Sequence, residues 1–216
     1  RPAHHRLHEG DAVIPLAVVR TGHANVRSLL NALARLGASA TLTEDPEEVR
    51  TAARAILPGV GAFGAVAAHL EGKGLRDALR ERTRSGKPLL GICLGQQLLL
   101  DSSEESPGAK GLAALPGRVR KLQVSQPGTK IPHMGWNLVE PVGKDPVLGP
   151  SPFHAYFVHS YVTWPAAERD VAAWCEYGGV RFPAALRRGA TVAVQFHPER
   201  SGPAGLALLG RFLACP

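Results

Sequence analysis

The sequence predicts an α/β domain in which a mostly parallel, doubly wound sheet is covered by helices. Short apolar runs alternate with segments of helical periodicity through the first half of the chain, as they do in βαβ units. Crossovers of this kind place parallel strands side by side. The 216 residues suffice for one such domain with a full hydrophobic core.

The first half contains three predicted strands, at residues 12–19, 55–57 and 88–93. Helices are predicted at residues 26–36, from residue 46, at 75–83 and at 95–100. Gly37 closes the first helix, because glycine tolerates the left-handed conformation that ends many helices. Asp45 and Pro46 start the second, as a cap and a first-turn proline.

The second half is richer in strands, predicted at residues 119–124, 155–162, 171–177, 184–187 and 191–196. Few helices separate them, so we expect an antiparallel extension of the sheet. A helix at residues 205–213 closes the chain. We expect residues 1–11, which are polar and rich in histidine, to be a flexible extension and residues 12–216 to be one domain.

Composition limits the kinds of partner and the cellular compartment that we expect for this protein. The net charge of +7 comes from basic residues that are spread along the chain without interleaved aromatic residues, so we expect no nucleic-acid partner. Such a basic surface would also suit an acidic partner or a phosphorylated substrate. No apolar run approaches the roughly 20 residues that span a bilayer, and we expect no membrane partner. Three scattered cysteines indicate a reducing compartment, the cytoplasm.

Cys93 is the predicted nucleophile. It follows the predicted strand at residues 88–93, in the segment Gly91-Ile92-Cys93-Leu94-Gly95. A sharp turn from a strand into a helix holds a nucleophile in a strained conformation, and small residues two positions to either side let the chain fold back. The turn exposes the sulfur at the carboxyl end of a strand, where open α/β sheets bind ligands. The N–H of Leu94 can then stabilise an oxyanion.

His197 and Glu199 are the predicted base and its orienting acid. Residues two apart in an extended segment point to the same side, and Pro198 favours extended geometry at His197. Glu199 can therefore bind one ring nitrogen and leave the other for Cys93. A non-enzymatic flavodoxin-like protein with a reactive cysteine is the competing hypothesis, but it would need no base with an orienting acid.

Two segments together resemble the signature of the class I glutamine amidotransferases. They are Gly91-Ile92-Cys93-Leu94-Gly95-Gln96-Gln97 and Gln195-Phe196-His197-Pro198-Glu199. The resemblance implies a flavodoxin-like fold and hydrolysis of L-glutamine by a Cys-His-Glu triad. It also implies that Gln97 contacts the glutamine. We expect no cofactor and no metal.

Three further segments are similar to those of the glutaminase subunits of imidazole glycerol phosphate synthases, in histidine biosynthesis. The segments are Pro58-Gly59-Val60-Gly61, Pro132-His133-Met134-Gly135-Trp136-Asn137 and Tyr156-Phe157-Val158-His159-Ser160-Tyr161. The similarity implies a heterodimer with a cyclase subunit that uses the ammonia to make imidazole glycerol phosphate and AICAR. The alternative is a glutaminase of pyridoxal phosphate or anthranilate synthesis.

The same resemblance assigns roles to further residues. The expected oxyanion donors are Val60 and Leu94, the expected substrate contacts are Gly59, Gln97, His159 and Ser160, and the expected partner contacts are Trp136, Asn137 and Arg200. Glycines on either side of Val60 let that peptide reorient at little steric cost. We expect its carbonyl to face the site at rest and its N–H to do so after the partner binds.

Overall fold

The computed structural model describes residues 16–22 and 26–215, which form a large mixed sheet, a small second sheet and six α-helices. The strands are β1 (Leu16–Val19), β2 (Ala40–Thr43), β3 (Arg54–Leu57), β4 (Leu89–Ile92), β5 (Ser102–Ser103), β6 (Gly117–Lys121), β7 (His133–Pro141), β8 (Phe153–His159), β9 (Tyr161–Pro165), β10 (Val171–Tyr177), β11 (Val180–Arg188) and β12 (Thr191–Val194). The helices are α1 (Arg27–Arg35), α2 (Pro46–Thr51), α3 (Phe63–Gly72), α4 (Leu75–Arg84), α5 (Leu94–Leu98) and α6 (Gly202–Ala214). The predicted extension at residues 1–11 lies outside the described residues.

The large sheet has the strand order β2-β1-β3-β4-β12-β11-β10-β7-β8 across the described ranges. Its first five strands run parallel to one another, in the 2-1-3-4-5 order of flavodoxin-like folds when β12 is counted as the fifth. The other four continue the sheet through antiparallel pairings. This arrangement confirms the predicted α/β class, with a parallel centre and an antiparallel extension.

Helices cover both faces of the sheet. Side chains alternate between the two faces along each strand, so one strand can contribute to the core on either side. In β1, Leu16 and Val18 pack in one core with residues of α1 and α6, while Ala17 and Val19 pack in a second core with residues of α2, α3 and α4. Among the described residues, the longest helix is α6, with 13 residues. No helix in the described part of the chain is long and apolar enough to cross a membrane.

Arg82 is buried inside the fold and does not belong to the basic surface that the sequence suggested. Its guanidinium group makes five hydrogen bonds of 2.8–3.1 Å, to the carbonyls of Val49, Ala52, Ala53 and Pro88. All five N–H donors of the side chain are thereby used. Burial lowers the pKa of Arg82 to about 10, so the group stays charged at neutral pH. These hydrogen bonds connect α4 to the segments that lead into β3 and β4.

The predicted strand at residues 155–162 is in fact two strands, β8 and β9, which separate at Ser160. β8 is the last strand of the large sheet, whereas β9 pairs with β6 in a small sheet that also contains β5. The chain must change direction here to leave one sheet for the other. The break brings residues 158–161 over the end of β4, where the carbonyl of Val158 lies 3.9 Å from the sulfur of Cys93.

Candidate active site

Cys93 occupies a strained turn between β4 and α5. Its backbone has φ 53° and ψ −108°, a conformation that residues other than glycine seldom adopt. The Cys93 N–H continues the sheet pairing by donating to the carbonyl of Val194 over 2.8 Å. The helix then starts at Leu94, so the side chain is left at the carboxyl edge of the parallel strands.

The two glycines of the predicted turn are required by close backbone contacts. A Cβ atom on Gly95 would lie 1.9 Å from the carbonyl oxygen of Leu57, in the neighbouring strand β3. A Cβ atom on Gly91 would lie 2.9 Å from the carbonyl oxygen of Gly95. The chain can therefore fold back at Cys93 only because both positions lack a side chain.

His197 and Glu199 lie in the turn that follows β12. His197 Nδ1 is 2.8 Å from Glu199 Oε1, and since a carboxylate only accepts, the ring nitrogen is the donor. The main chain of His197 is held from both sides, because its N–H donates to Tyr156 O over 2.9 Å and its carbonyl accepts from Ser201 Oγ over 2.6 Å. These bonds fix the orientation of the imidazole ring.

The other ring nitrogen of His197, Nε2, is not bound by Glu199. Nε2 is buried and has no hydrogen-bond partner within residues 16–22 and 26–215. Burial alone would lower the pKa of His197, but the Cys93 sulfur and the Glu199 carboxylate raise it more, so that its pKa is about 10. The raised pKa favours the protonated ring, so that His197 can hold a proton and donate it in the cavity that it shares with Cys93.

Cys93 and His197 line one cavity of about 320 Å³. Of the other residues that the sequence assigned to the site, it is lined by Val60, Leu94, Gln97, His159 and Ser160. Its volume lies near the lower end of the range of about 300–1,000 Å³ that is typical of small-molecule pockets. The cavity therefore suits a substrate of the size of an amino acid.

The N–H of Leu94, the expected oxyanion donor, already has a hydrogen-bond acceptor in the neighbouring loop. Its N–H points at the carbonyl oxygen of Gly59 over 3.4 Å. That carbonyl belongs to the peptide whose nitrogen is that of Val60, so the N–H of Val60 is turned away from Leu94. Gly59 packs directly on the turn, because a Cβ atom there would lie 2.6 Å from Leu94 Cβ and 2.7 Å from Gly95 N.

Gln195 is a site residue to which the sequence assigned no role. It is fully buried, and its Nε2 donates to Cys93 Sγ over 3.6 Å. Its Oε1 accepts from Gln97 Nε2 over 3.2 Å, and that same nitrogen donates to the carbonyl of Tyr161 over 3.1 Å. Both N–H groups of Gln97 are thus used inside the protein, and its Oε1 remains available to a ligand. Gln195 precedes His197 by two residues, a spacing that would have indicated the same side of the chain.

Glu105 also lines the cavity, and no pattern in the sequence marked it. It lies in irregular chain after α5, in a stretch with no helical or strand periodicity. Its Oε2 accepts the N–H of Phe63, the first residue of α3, over 2.7 Å. The carboxylate therefore adds a fixed negative charge to the cavity, which suits a cationic group on a ligand.

A directional chain of hydrogen bonds fixes the tautomer of His159, and burial keeps the ring neutral. Its Nδ1 lies 3.0 Å from the carbonyl of Tyr161, which only accepts, so Nδ1 carries the hydrogen. Its Nε2, 3.0 Å from His133 Nδ1, then accepts a hydrogen bond from that ring. Burial lowers the pKa of His133 to about 4, and burial together with His133 lowers that of His159 to about 3. The chain ends at Asn137, whose Nδ2 lies 3.5 Å from His133 Nε2.

Two of the expected partner residues, Trp136 and Asn137, lie on β7, one strand from the edge of the large sheet, and Arg200 lies in the turn after β12. Trp136 is 57 % exposed and shares its side of the strand with the exposed Met134. Arg200 is exposed, and its guanidinium carbon lies 4.3 Å from the ring centroid of Tyr156. Asn137 faces the opposite side from Trp136, because its Nδ2 donates to the carbonyl of Glu176 over 2.9 Å.

The fold and this site belong to a known class of protein. The family model for glutamine amidotransferase class-I matches residues 17–214, and the chain belongs to that family. A solved structure described as a glutamine amidotransferase superposes with a TM-score of 0.71 at 25 % identity, over 92 % of this chain and 97 % of that one. PurLQS from Thermotoga maritima, at 17 % identity, shares the fold with a TM-score of 0.72, over 94 % of this chain and 99 % of that one.

Closer relatives belong to one branch of the family. The chain is 46 % identical to the imidazole glycerol phosphate synthase subunit HisH of Methanothermobacter thermautotrophicus, over 92 % of this chain and 97 % of that protein. The HisH subunit of Moorella thermoacetica is 44 % identical over 92 % and 93 %. The chloroplastic imidazole glycerol phosphate synthase hisHF of Arabidopsis thaliana is 44 % identical over 94 % of this chain and 34 % of that protein.

Proposed function

We propose that this chain hydrolyses L-glutamine to L-glutamate and ammonia and passes the ammonia to a cyclase subunit in histidine biosynthesis. The cyclase would use it to make imidazole glycerol phosphate and AICAR. The observation that carries the proposal is a strained cysteine and a carboxylate-bound histidine on one cavity of amino-acid size. Relatives that span the chain are named as subunits of imidazole glycerol phosphate synthase, and this favours histidine biosynthesis over the pyridoxal phosphate and anthranilate pathways.

In the first half of the reaction, His197 takes the proton of the Cys93 thiol, and the resulting thiolate attacks the amide carbon of glutamine. The carbonyl oxygen becomes an oxyanion, which the N–H groups of Leu94 and Val60 would stabilise. His197 donates a proton to the leaving nitrogen, the C–N bond breaks, and ammonia departs. A γ-glutamyl thioester remains on Cys93.

In the second half, water cleaves the thioester. His197 now removes a proton from the water as the oxygen attacks the same carbon. The C–S bond breaks, glutamate is released, and the proton on His197 returns to the sulfur of Cys93. Glu199 keeps the ring oriented in both halves and stabilises its charged form without taking the proton. The sum of the two halves is glutamine plus water giving glutamate plus ammonia.

The cavity has complementary groups for the rest of the substrate. The Glu105 carboxylate can pair with the α-ammonium group of glutamine, and Gln97 Oε1 can accept a hydrogen bond from it or from the amide. Ser160 and the segment around His159 form the wall opposite the turn at Cys93. Because His159 is neutral, it adds no charge beside the reacting amide.

The resting site is incomplete, and this offers a way to couple the two subunits. The Gly59 carbonyl occupies the Leu94 N–H, at the position where the oxyanion must bind. Rotation of the peptide between Gly59 and Val60 would remove that carbonyl and turn the Val60 N–H inwards. We expect the cyclase, loaded with its nucleotide substrate, to favour the rotated form, so that glutamine is consumed only when ammonia can be used.

The partner would bind the face formed by Met134, Trp136 and Leu138, all exposed on one side of β7, together with Arg200. Exposed apolar side chains in a row are typical of a protein interface. We place the heterodimer in the cytoplasm, because Cys93, Cys175 and Cys215 are free thiols, as a reducing compartment requires.

The test of this function is synthesis by the complex with a cyclase subunit of imidazole glycerol phosphate synthase. The variant Cys93→Ala should abolish synthesis from glutamine and preserve synthesis from added ammonia. Loss of both would indicate a failed complex, and glutamine turnover at the wild-type rate would exclude Cys93 as the nucleophile. A pyridoxal phosphate synthase subunit in place of the cyclase should not stimulate glutamine hydrolysis.

A further inference from the structure

A second cavity lies at the opposite edge of the sheet from Cys93. It has a volume of about 210 Å³ and lies between the last turn of α4, the loop at residues 112–115 and the turn from β11 to β12. Thr191, which begins β12, lines this cavity, whereas His197 follows the other end of that strand. The cavity therefore shares no wall with the glutamine pocket.

Three arginines from two elements line this cavity. They are Arg80 and Arg84 on α4 and Arg188 at the end of β11. The sequence shows them only as parts of two separate basic stretches. Arg82, between the first two in the chain, is directed into the protein, so the fold itself selects which arginines face the cavity.

Positive charge in the cavity exceeds negative charge. Arg188 is paired with the buried carboxylate of Asp170 and also lies 3.5 Å from the carbonyl of Ala114. Arg80 and Arg84 have no ion pair and no side-chain hydrogen bond to any residue in the described ranges. Like charges four residues apart on a helix repel each other, and a concave wall concentrates their field. The positive charge of Arg80 and Arg84, unpaired within the described ranges, therefore lies at the cavity, where a bound anion would neutralise it.

We propose that this cavity binds a small phosphate-class oxyanion, such as inorganic phosphate or pyrophosphate. The guanidinium fork matches phosphate oxygens with two parallel hydrogen bonds, and Arg188 is already fixed by Asp170. The cavity is also lined by the buried residues Thr191, Leu112 and Leu115. The volume is below the range of about 300 Å³ and more that holds drug-sized ligands, which favours a small anion over a nucleotide.

The experiment is titration calorimetry of the full chain with pyrophosphate, phosphate, ATP and a short DNA duplex at physiological salt. The wild type should bind pyrophosphate or phosphate at one site, and Arg80→Gln and Arg84→Gln should each weaken this binding about tenfold or more. Arg35→Gln is the matched control, because Arg35 is also exposed in the last turn of a helix, on the other face of the sheet. The control should bind as the wild type does, and Arg80→Lys should bind better than Arg80→Gln.

Three results would overturn the proposal. They are the absence of saturable binding by either anion at millimolar concentration, an equal loss in Arg35→Gln, and tighter binding of ATP or DNA than of pyrophosphate. Glutamine hydrolysis by each variant with its cyclase partner reports whether the fold is intact. It should stay at the wild-type rate, because none of the substituted residues lines the glutamine pocket.

Discussion

The side-chain amide of Gln195 donates a hydrogen bond to the sulfur of Cys93 over 3.6 Å, in a fully buried position. The amide cannot turn freely, because its oxygen accepts from Gln97 over 3.2 Å. We infer that Gln195 is a positioning residue, since it points an N–H at the proposed nucleophile Cys93 and does not line the cavity.

We predict that Gln195→Leu lowers kcat about 10–100-fold, because a hydrogen bond to a group that becomes charged contributes about 1.5–3 kcal/mol. KM should change much less, and alkylation of Cys93 by iodoacetamide should slow in parallel with kcat. The control is Gln96→Leu, in which a fully buried glutamine without a side-chain partner in the described ranges is replaced. Equal alkylation rates for Gln195→Leu and the wild type would contradict the positioning role.

Arg82 should be among the residues on which stability depends most. Arg82→Met would remove the side-chain donors of the Val49, Ala52, Ala53 and Pro88 carbonyls. Of these, the Pro88 carbonyl would keep the Ala55 N–H as a donor. Breaking a buried network of this size should lower the free energy of unfolding by about 3–5 kcal/mol. Urea denaturation measures this, and Arg84→Met, at an exposed position of the same helix, should stay within about 0.5 kcal/mol of the wild type. Similar midpoints for the two variants would show that the five bonds contribute little.

The buried pair His133 and His159 should make the folded state sensitive to acid. Their pKa values are lowered to about 4 and about 3, whereas both are about 6.5 in the unfolded chain. As the pH falls below 6.5, the unfolded state binds protons that the native state does not, so stability decreases by about 1.4 kcal/mol per pH unit for each histidine.

We predict that His133→Phe removes one histidine's share of this pH dependence. A phenyl ring can keep the stacking of His133 between Tyr177 and Phe157. Urea unfolding at pH 7, 6 and 5 gives the slope, and His154→Phe, at an exposed position, is the control. Equal slopes for His133→Phe and the wild type would contradict a contribution of this histidine to the pH dependence of stability.

Trp136 and Arg200 should contribute to association with the cyclase. Trp136→Ala should weaken binding by about 1–3 kcal/mol if the indole is an interface anchor, and Arg200→Ala should weaken it as well. Val142→Ala, which truncates an exposed apolar side chain beyond the end of β7, should have little effect. Calorimetric titration that gives the same affinity for the wild type and for both variants would place the interface elsewhere.

Sequence patterns predicted the parts of the molecule that local chemistry dictates. The turn at Cys93 was predictable because Gly91 and Gly95 mark the close backbone approach, and the contact between His197 and Glu199 follows from their spacing. Pairing between strands that are distant in the sequence leaves no comparable local pattern. β7 was not predicted as a strand, since Gly135 and the exposed Met134 and Trp136 obscure its alternation.

The residues that line the cavity around Cys93 and His197 were less predictable than these two residues themselves. Glu105 reaches the cavity through irregular chain, and its partner Phe63 is 42 residues away in the sequence. The break at Ser160 depends on which sheet each half of the segment joins, which is a property of the whole fold. The position of Arg80 and Arg188 on one cavity likewise depends on tertiary packing that no local pattern encodes.

The most direct test of the account is the rate of glutamine hydrolysis in three states: the chain alone, its complex with the cyclase, and the complex with a substrate analogue bound. The Gly59 carbonyl accepts the Leu94 N–H, so under the proposed mechanism the isolated chain would lack a complete oxyanion hole. One missing donor costs roughly 10²–10³-fold in rate, so the loaded complex should exceed the chain alone by at least about 10²-fold. Equal rates in all three states would contradict a gated oxyanion hole.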